Sequence, residues 1–213
     1  IGAFDAGVLG GSDDPVAALD QLWRHFLSIG GLKGLVLNHI PSSKLQQIVQ
    51  LGGVPNVFTL NPSALLFPLT SATSIYDLSP LRKTLEKVID FDFLNSSKAP
   101  HVTVNATDVQ SGELKHFDNK KERMTIDHIM ASASIAPLGP ATEIPNEQGE
   151  IRHYWDGGFY NNTPLSKALD LLEETADSQQ QGVERELIVI ELFPKENEHI
   201  PENLEQVGDR IVE

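Results

Sequence analysis

One carboxylate stands out between residues 152 and 165, which read RHYWDGGFYNNTPL. Asp156 follows Tyr154 and Trp155 and precedes Gly157 and Gly158. The glycines let another backbone segment approach closely, and the aromatic rings can shield the carboxylate from water. Partial desolvation raises the pKa of a carboxylate and makes it a better general base than an exposed one. Asp-Gly is also a common turn signal, so the residues alone leave a catalytic site and a simple turn both open.

The elements that must position Asp156 alternate between helices and strands. Helical spacing, capping residues and well-placed prolines predict helices over five ranges, namely 14–31, 42–53, 79–90, 125–135 and 163–175. Alternating β-branched residues predict a strand over 101–109, and a near-continuous apolar run predicts another over 186–193. Strands separated by helices predict an α/β fold. The prolines within 54–76 leave little room there for regular structure.

The first eleven residues, IGAFDAGVLGG, place small side chains at positions 2, 3, 6, 7, 10 and 11. On a helix these positions form two adjacent columns and leave a face of almost bare backbone. We therefore expect a helix that packs very closely on a sheet, with Gly2 and Ala6 against it. Ser12 follows this helix and fits a capping role better than a nucleophilic one.

The same stretch resembles the part of a patatin-like phospholipase that directly follows the nucleophilic serine. Four later blocks resemble consecutive blocks of that family, in the family's order: IYDLSPLRKTLEKVIDFDFLN, VTVNATDVQSGELKHFDN, TIDHIMASASIAPLGPATEI and YWDGGFYNNTPLSKALD. The last block is the most specific, because it contains the Asp-Gly-Gly motif of the family.

The resemblance implies a three-layer α/β/α sandwich with a mainly parallel sheet, as one domain over residues 1–213 that is truncated at both ends. The chain would lack the N-terminal strand and the oxyanion loop of the family. The implied function is a lipase-like or phospholipase-like serine acyl hydrolase with a Ser-Asp dyad. Asp156 would be its base, and the serine would lie immediately before Ile1, so the chain alone is expected to be inactive. The residues related to the motif or to the oxyanion hole would be Ile1, Gly2, Gly157 and Gly158. The resemblance implies neither a metal nor another cofactor.

Apolar residues within 54–76 suggest where a substrate could bind. Phe67 and Leu66, together with Trp155, are candidates for an acyl-chain pocket, since ligand sites are concave and mostly apolar. The alternative for this segment is that it fills the edge of the core. The alternative for the whole chain is a non-catalytic module of the same fold that binds an acyl chain or a protein.

Charge and composition limit the partners. Thirty acidic residues against sixteen basic ones give a formal net charge of −14, which argues against nucleic acid or an anionic membrane as a partner. No segment approaches the roughly 20 apolar residues of an integral membrane span, and the chain contains no cysteine. A lipid or another acyl ester is the expected substrate, and a cytoplasmic location is favoured. The sequence specifies neither head group, chain length nor oligomeric state.

Overall fold

The computed structural model describes residues 1–27, 53–54, 56–66, 72–159, 165–174 and 186–190. The chain forms two compact units, Ile1–Tyr160 and Asn161–Glu213, and the first contains Asp156. The single domain expected over the whole chain stays a prediction. Within these described ranges, no helix is long and apolar enough to cross a membrane.

The first unit begins with two helices, α1 (Gly2–Gly10) and α2 (Pro15–Leu27). In the turn between them the Ser12 hydroxyl oxygen accepts the Asp14 N–H at 3.2 Å, so Ser12 stabilises the turn and is not itself the cap of α2. Asp14 in turn caps α2, because its carboxylate accepts the Ala17 N–H at 3.2 Å. The predicted helix over 14–31 is confirmed as far as Leu27, whereas the helix predicted over 42–53 falls almost entirely outside the described residues.

Short regular elements interrupt the segment 54–76, where little regular structure was expected. They are β1 (Thr59–Leu60), α3 (Pro62–Leu66) and β2 (Tyr76–Asp77). β1 and β2 pair antiparallel. The expectation was wrong here because the prolines are compatible with such elements: Pro62 begins α3, where its missing N–H would have no partner in any case.

Three helices follow in the first unit, α4 (Ser79–Val88), α5 (Phe91–Leu94) and α6 (Ile126–Ala131). α4 confirms the predicted helix, for which the sequence indicates Ser79 as the cap, but Ser79 is instead its first residue. The Asp77 carboxylate accepts both the N–H and the hydroxyl of Ser79, at 2.9 and 2.6 Å.

α6 begins after Thr125 as predicted, with the Thr125 N–H donating to His128 Nδ1 at 2.9 Å. It ends at Ala131, short of the predicted residue 135.

A four-stranded sheet carries the candidate carboxylate. Its strands are β3 (Thr103–Asp108), β4 (Leu114–Asp118), β5 (Thr142–Pro145) and β6 (Ile151–Asp156). They lie in the order β4-β3-β6-β5 and every neighbouring pair is antiparallel. β3 confirms the strand predicted over 101–109. All strands of this described sheet are antiparallel. The mainly parallel sheet and the three-layer sandwich are therefore not confirmed and stay predictions.

The second unit contains α7 (Leu165–Glu174), which lies within the helix predicted over 163–175. Residues 186–190 form no strand, although one was predicted over 186–193. Their side chains are exposed, and Ile188 and Ile190 are 74% and 79% exposed. An apolar run becomes a strand only where a neighbouring strand pairs with it and its faces are covered, and this stretch of the described chain has neither.

The core of the first unit lies between the helices and one face of the sheet. Its fully or almost fully buried side chains come from α1, α2, α4, α5, α6, β3 and β4, and include Val8, Leu22, Leu85, Leu94, Ile129, Val104 and Phe117. α1 contributes backbone as well as side chains. A Cβ atom added to Gly10 would lie 2.5 Å from Val102 Cγ2 and 2.8 Å from Leu94 Cδ1.

The bare face of α1 is therefore real, but it is rotated from the expected one. Gly7 and Gly10 are buried, whereas Gly2 is exposed and a Cβ atom there would have nothing within 4 Å. The expectation that Gly2 packs against the sheet is wrong, while Ala6 does pack against the core. Gly2 and Gly10 belong to the same column of small residues, so the sequence pattern does not show which of them is buried.

Replacing Gly10 by alanine should destabilise the protein. Overpacking of a filled core costs about 1–3 kcal/mol, which exceeds the gain of up to about 1 kcal/mol from replacing glycine inside a helix. Thermal unfolding followed by circular dichroism measures the change. Gly2→Ala is the matched control in the same helix, and its melting temperature should be unchanged or slightly higher. Equal melting temperatures for the two variants would contradict the close packing at Gly10.

Candidate functional site

The main chain of Asp156 is fixed from two sides at the end of β6. Its N–H donates to the Ser134 carbonyl at 2.9 Å, and its carbonyl accepts the Thr107 hydroxyl at 3.2 Å. Asp156 also lies opposite Ala106 of β3 in the register of the sheet. The position of the carboxylate is thus set by β3 and by the loop that follows α6.

Gly157 allows a second backbone segment to approach, as the sequence predicted. A Cβ atom at this residue would lie 2.7 Å from both the carbonyl carbon and the carbonyl oxygen of Asn105. Since these are backbone atoms of a paired strand, they cannot move aside as the end of a flexible side chain could. Gly157 is the first residue of a single 3₁₀ turn, Gly157–Phe159, which begins directly after β6.

Gly158 orients the carboxylate itself. Its N–H donates to Asp156 Oδ1 at 2.8 Å, which closes a tight turn around the side chain. The Asp-Gly-Gly sequence therefore forms a turn and also fixes the direction of one carboxylate oxygen. The two interpretations that the sequence left open do not exclude each other.

Burial raises the pKa of Asp156 above its ordinary value, while the Gly158 N–H and the amino group of Ile1 act in the opposite direction. The carboxylate thus loses part of its hydration but keeps one backbone donor. A carboxylate in this environment accepts a proton more readily than one on the surface. This direction agrees with the one expected from the sequence.

Tyr154, and not Trp155, shares the face of the sheet on which Asp156 lies, because successive side chains of a strand point to opposite faces. Tyr154 is buried, and its ring packs edge-on against Phe117 with centroids 5.4 Å apart. Trp155 is half-buried on the opposite face. Of the other residues expected in an acyl pocket, Leu66 is 71% exposed on α3, and Phe67 lies outside the described residues.

The beginning of α1 lies beside Asp156 although the two are far apart in sequence. Burial lowers the pKa of the Ile1 amino group, and the negative charges of Asp156 and Asp5 raise it. Ile1 as a whole residue is nevertheless 52% exposed. The fold therefore brings the Ile1 nitrogen within electrostatic reach of the candidate base.

Sequence reasoning missed the backbone partners of this site. Ser134 engages its hydroxyl within the protein, because that group donates to the Met130 carbonyl at 2.8 Å. Its contribution to the site is its own carbonyl oxygen, which holds Asp156. Any residue type can supply such an acceptor, so no side-chain motif could have identified it.

His153 precedes Asp156 by three residues but lies on the opposite face of the sheet. Its Nδ1 contacts Gln110 Nε2 at 3.0 Å, and its Nε2 lies 3.5 Å from Glu143. Across the described part of the chain, no three His, Asp or Glu side chains are grouped so that they could hold a metal ion.

Comparison with known proteins identifies the family. A family model described as patatin-like phospholipase matches residues 27–169, which is more than half of the 213-residue chain. The match includes the Asp-Gly-Gly motif and begins at the last residue of α2, so α1 lies outside it. No curated protein and no solved structure matches the chain. The match over residues 27–169 is sufficient to conclude that the chain belongs to the patatin-like phospholipase family.

Proposed function

We propose that this chain is part of a serine acyl hydrolase in which Asp156 is the general base of a Ser-Asp dyad. Membership of the family supports lipid acyl hydrolysis as the reaction. The observation that carries the dyad is a partly dehydrated Asp156 carboxylate that the Gly158 N–H orients and that interacts electrostatically with the Ile1 nitrogen. A serine bonded to that nitrogen would begin α1 next to the carboxylate, as the resemblance of residues 1–11 implies.

In the proposed reaction the serine hydroxyl attacks the ester carbonyl carbon while Asp156 accepts the hydroxyl proton. The tetrahedral intermediate collapses, and Asp156 returns the proton to the leaving alcohol. Water then attacks the acyl-enzyme with Asp156 again as the base, which releases the carboxylic acid and restores the serine. The Ile1 amide, the first after the nucleophile, would be a further oxyanion donor, and Gly2 follows it as the first residue of α1.

The electrostatics of Asp156 fit this role. Its pKa is already raised by burial while the positive charge of the Ile1 amino group opposes that rise. When a residue precedes Ile1, the nitrogen is an uncharged amide and this opposing charge disappears. The Gly158 N–H is then the remaining influence that keeps the pKa from rising further. The result is a carboxylate that is more basic than one on the surface.

The proposal includes the finer architecture of the family, a three-layer α/β/α sandwich with a mainly parallel sheet. In it, the strand that ends at the serine would precede α1, and the close packing of Gly7 and Gly10 would hold α1 against the core. Gly157 and Gly158 shape the turn at the base, as their contacts with Asn105 and Asp156 indicate.

Asp156→Asn should lower ester hydrolysis by roughly 10²–10⁴-fold in the full-length protein, because the amide keeps the shape of the side chain but cannot accept the proton. The measurement is turnover of a nitrophenyl acetate ester. Asn can still accept the Gly158 N–H through Oδ1, so the fold should survive, and circular dichroism checks this.

Asp13→Asn is the control, since it makes the same chemical change at an exposed carboxylate in the turn between α1 and α2. Its turnover should match that of the unmodified protein. Near-normal turnover by the Asp156→Asn variant would reject the dyad. Absence of ester hydrolysis in the unmodified full-length protein would instead favour the non-catalytic binding module.

Asp156 should also make stability depend on pH, and this prediction needs no substrate. Its pKa is higher in the folded protein than in the unfolded chain, so the folded state holds the proton more tightly. This contribution to stability is present at low pH and is lost as pH rises through the raised folded pKa. The Asp156→Asn variant carries no such charge. Its melting temperature relative to the unmodified protein should therefore increase between about pH 4 and neutral pH, and a constant difference would contradict the burial of the carboxylate.

A further inference from the structure

An apolar groove of about 460 Å³ lies between the short elements that precede α4 and the loop that follows α6. It is lined by Leu60, Ala64, Ala72, Thr73, Ser74, Ile75 and Pro137. Its volume falls within the range of about 300–1,000 Å³ that is usual for sites of small molecules. None of these lining residues carries a charge.

The polar side chain of Ser74 is already engaged within the protein. Its hydroxyl donates to the Tyr76 carbonyl at 3.0 Å and lies 3.4 Å from Asn61 Nδ2. What the groove offers to a ligand is therefore mainly the aliphatic surface of Leu60, Ala64 and Ile75. Such a surface stabilises an alkyl chain by removing it from water and gives nothing to an ionic group.

The backbone around the groove argues against a peptide as its occupant. The N–H groups of Ile75 and Tyr76 donate to the carbonyls of Pro137 and Leu138, at 3.0 and 2.8 Å. β2 also pairs with β1 through Tyr76 and Asp77. A peptide strand binds mainly through such backbone groups, and on this described stretch they are already paired. An alkyl chain needs none of them.

One short loop connects a residue that lines the groove, Pro137, with a residue that holds the candidate base, Ser134. Ser134, whose carbonyl holds the Asp156 N–H, is three residues before Pro137, and three residues of extended chain span at most about 11 Å. Large apolar side chains lie exposed along this path, with Ile135, Leu138 and Ile75 exposed by 37%, 39% and 39%. Contiguous exposed apolar residues beside a groove mark a binding surface.

We propose that the groove formed by Leu60, Ala64, Ile75 and Pro137 holds the alkyl chain of the ester that is cleaved at Asp156, and that its length sets the preferred chain length. This inference rests on the proposed function. In this proposal Ala64 contacts the alkyl chain of the substrate. Leu66 of the same helix, which the sequence suggested for this role, is exposed.

Ala64→Phe tests the proposal by filling the groove, with turnover of nitrophenyl acetate and nitrophenyl decanoate measured on the full-length protein. The ratio of decanoate to acetate kcat/KM should fall by at least tenfold, since each methylene kept out of the groove accounts for up to about fourfold. Acetate turnover should fall by a smaller factor than decanoate turnover, because the acetyl group is too short to fill the groove. Ser63→Phe adds the same ring to an exposed position of the same helix, and its ratio should not change.

A second variant, Ala64→Ser, keeps the test valid if the phenylalanine prevents folding, and it should lower the same ratio by a smaller factor. Binding of decanoate and butyrate to the Asp156→Asn variant, measured by calorimetry, gives a readout without catalysis. Decanoate should bind more tightly, and this preference should disappear when Ala64→Phe is added.

Equal losses on acetate and decanoate in Ala64→Phe, or a ratio equal to that of Ser63→Phe, would overturn the groove proposal while leaving the dyad intact. Failure of the dyad has a different signature, namely normal acetate turnover by Asp156→Asn.

Discussion

The site depends on one short helix, because α6 sets the position of both parts that the proposed chemistry needs. Gly7 of α1 lies so close to α6 that a Cβ atom there would be 3.1 Å from Ile129 Cδ1, and Ile129 is fully buried. The loop after the same helix provides the Ser134 carbonyl that holds Asp156. The beginning of α1 and the candidate base are thus both held by contacts with α6 or with the loop that follows it. A larger side chain at Gly7 would move one of them and not the other.

The same arrangement places a titratable group where the solvent cannot fully hydrate it. Burial of Asp156 opposes its ionisation, so the core must supply the stability that the charged form removes. The Gly158 N–H limits this cost by donating to one carboxylate oxygen, and the Ile1 amino group acts in the same direction. A lysine or arginine in that place would stabilise the anion too well for it to act as a base. Asp108 of the neighbouring strand differs: its pKa is lowered despite burial, because the Ser111 and Gln110 N–H groups donate to it and Arg152 donates to both of its oxygens, at 2.9 and 2.8 Å.

Local patterns in the sequence predicted the parts of the fold whose causes are local. α1, α2, α4 and α6 follow from spacing and caps, and β3 from its alternation, while the Asp-Gly-Gly motif identified the candidate carboxylate. What depends on partners distant in sequence was not predictable in the same way. Gly2 and Gly7 belong to similar columns of small residues, yet only Gly7 meets a neighbouring helix. Residues 186–190 have the composition of a buried strand without a described partner, and the Ser134 carbonyl is an acceptor that any residue could provide.

The absence of charge from the residues that line the groove also bears on how a product would leave it. In the proposed reaction a neutral ester enters and a carboxylate anion is formed. The lining residues, from Leu60 to Pro137, offer no cation to hold that anion, and the chain carries a net charge of −14. The alkyl chain gains the same burial in substrate and product, whereas the new charge gains nothing from the groove and is repelled by the acidic surface. The groove would therefore bind the ester more tightly than the carboxylate product. Hydrolysis would thus favour dissociation of the product.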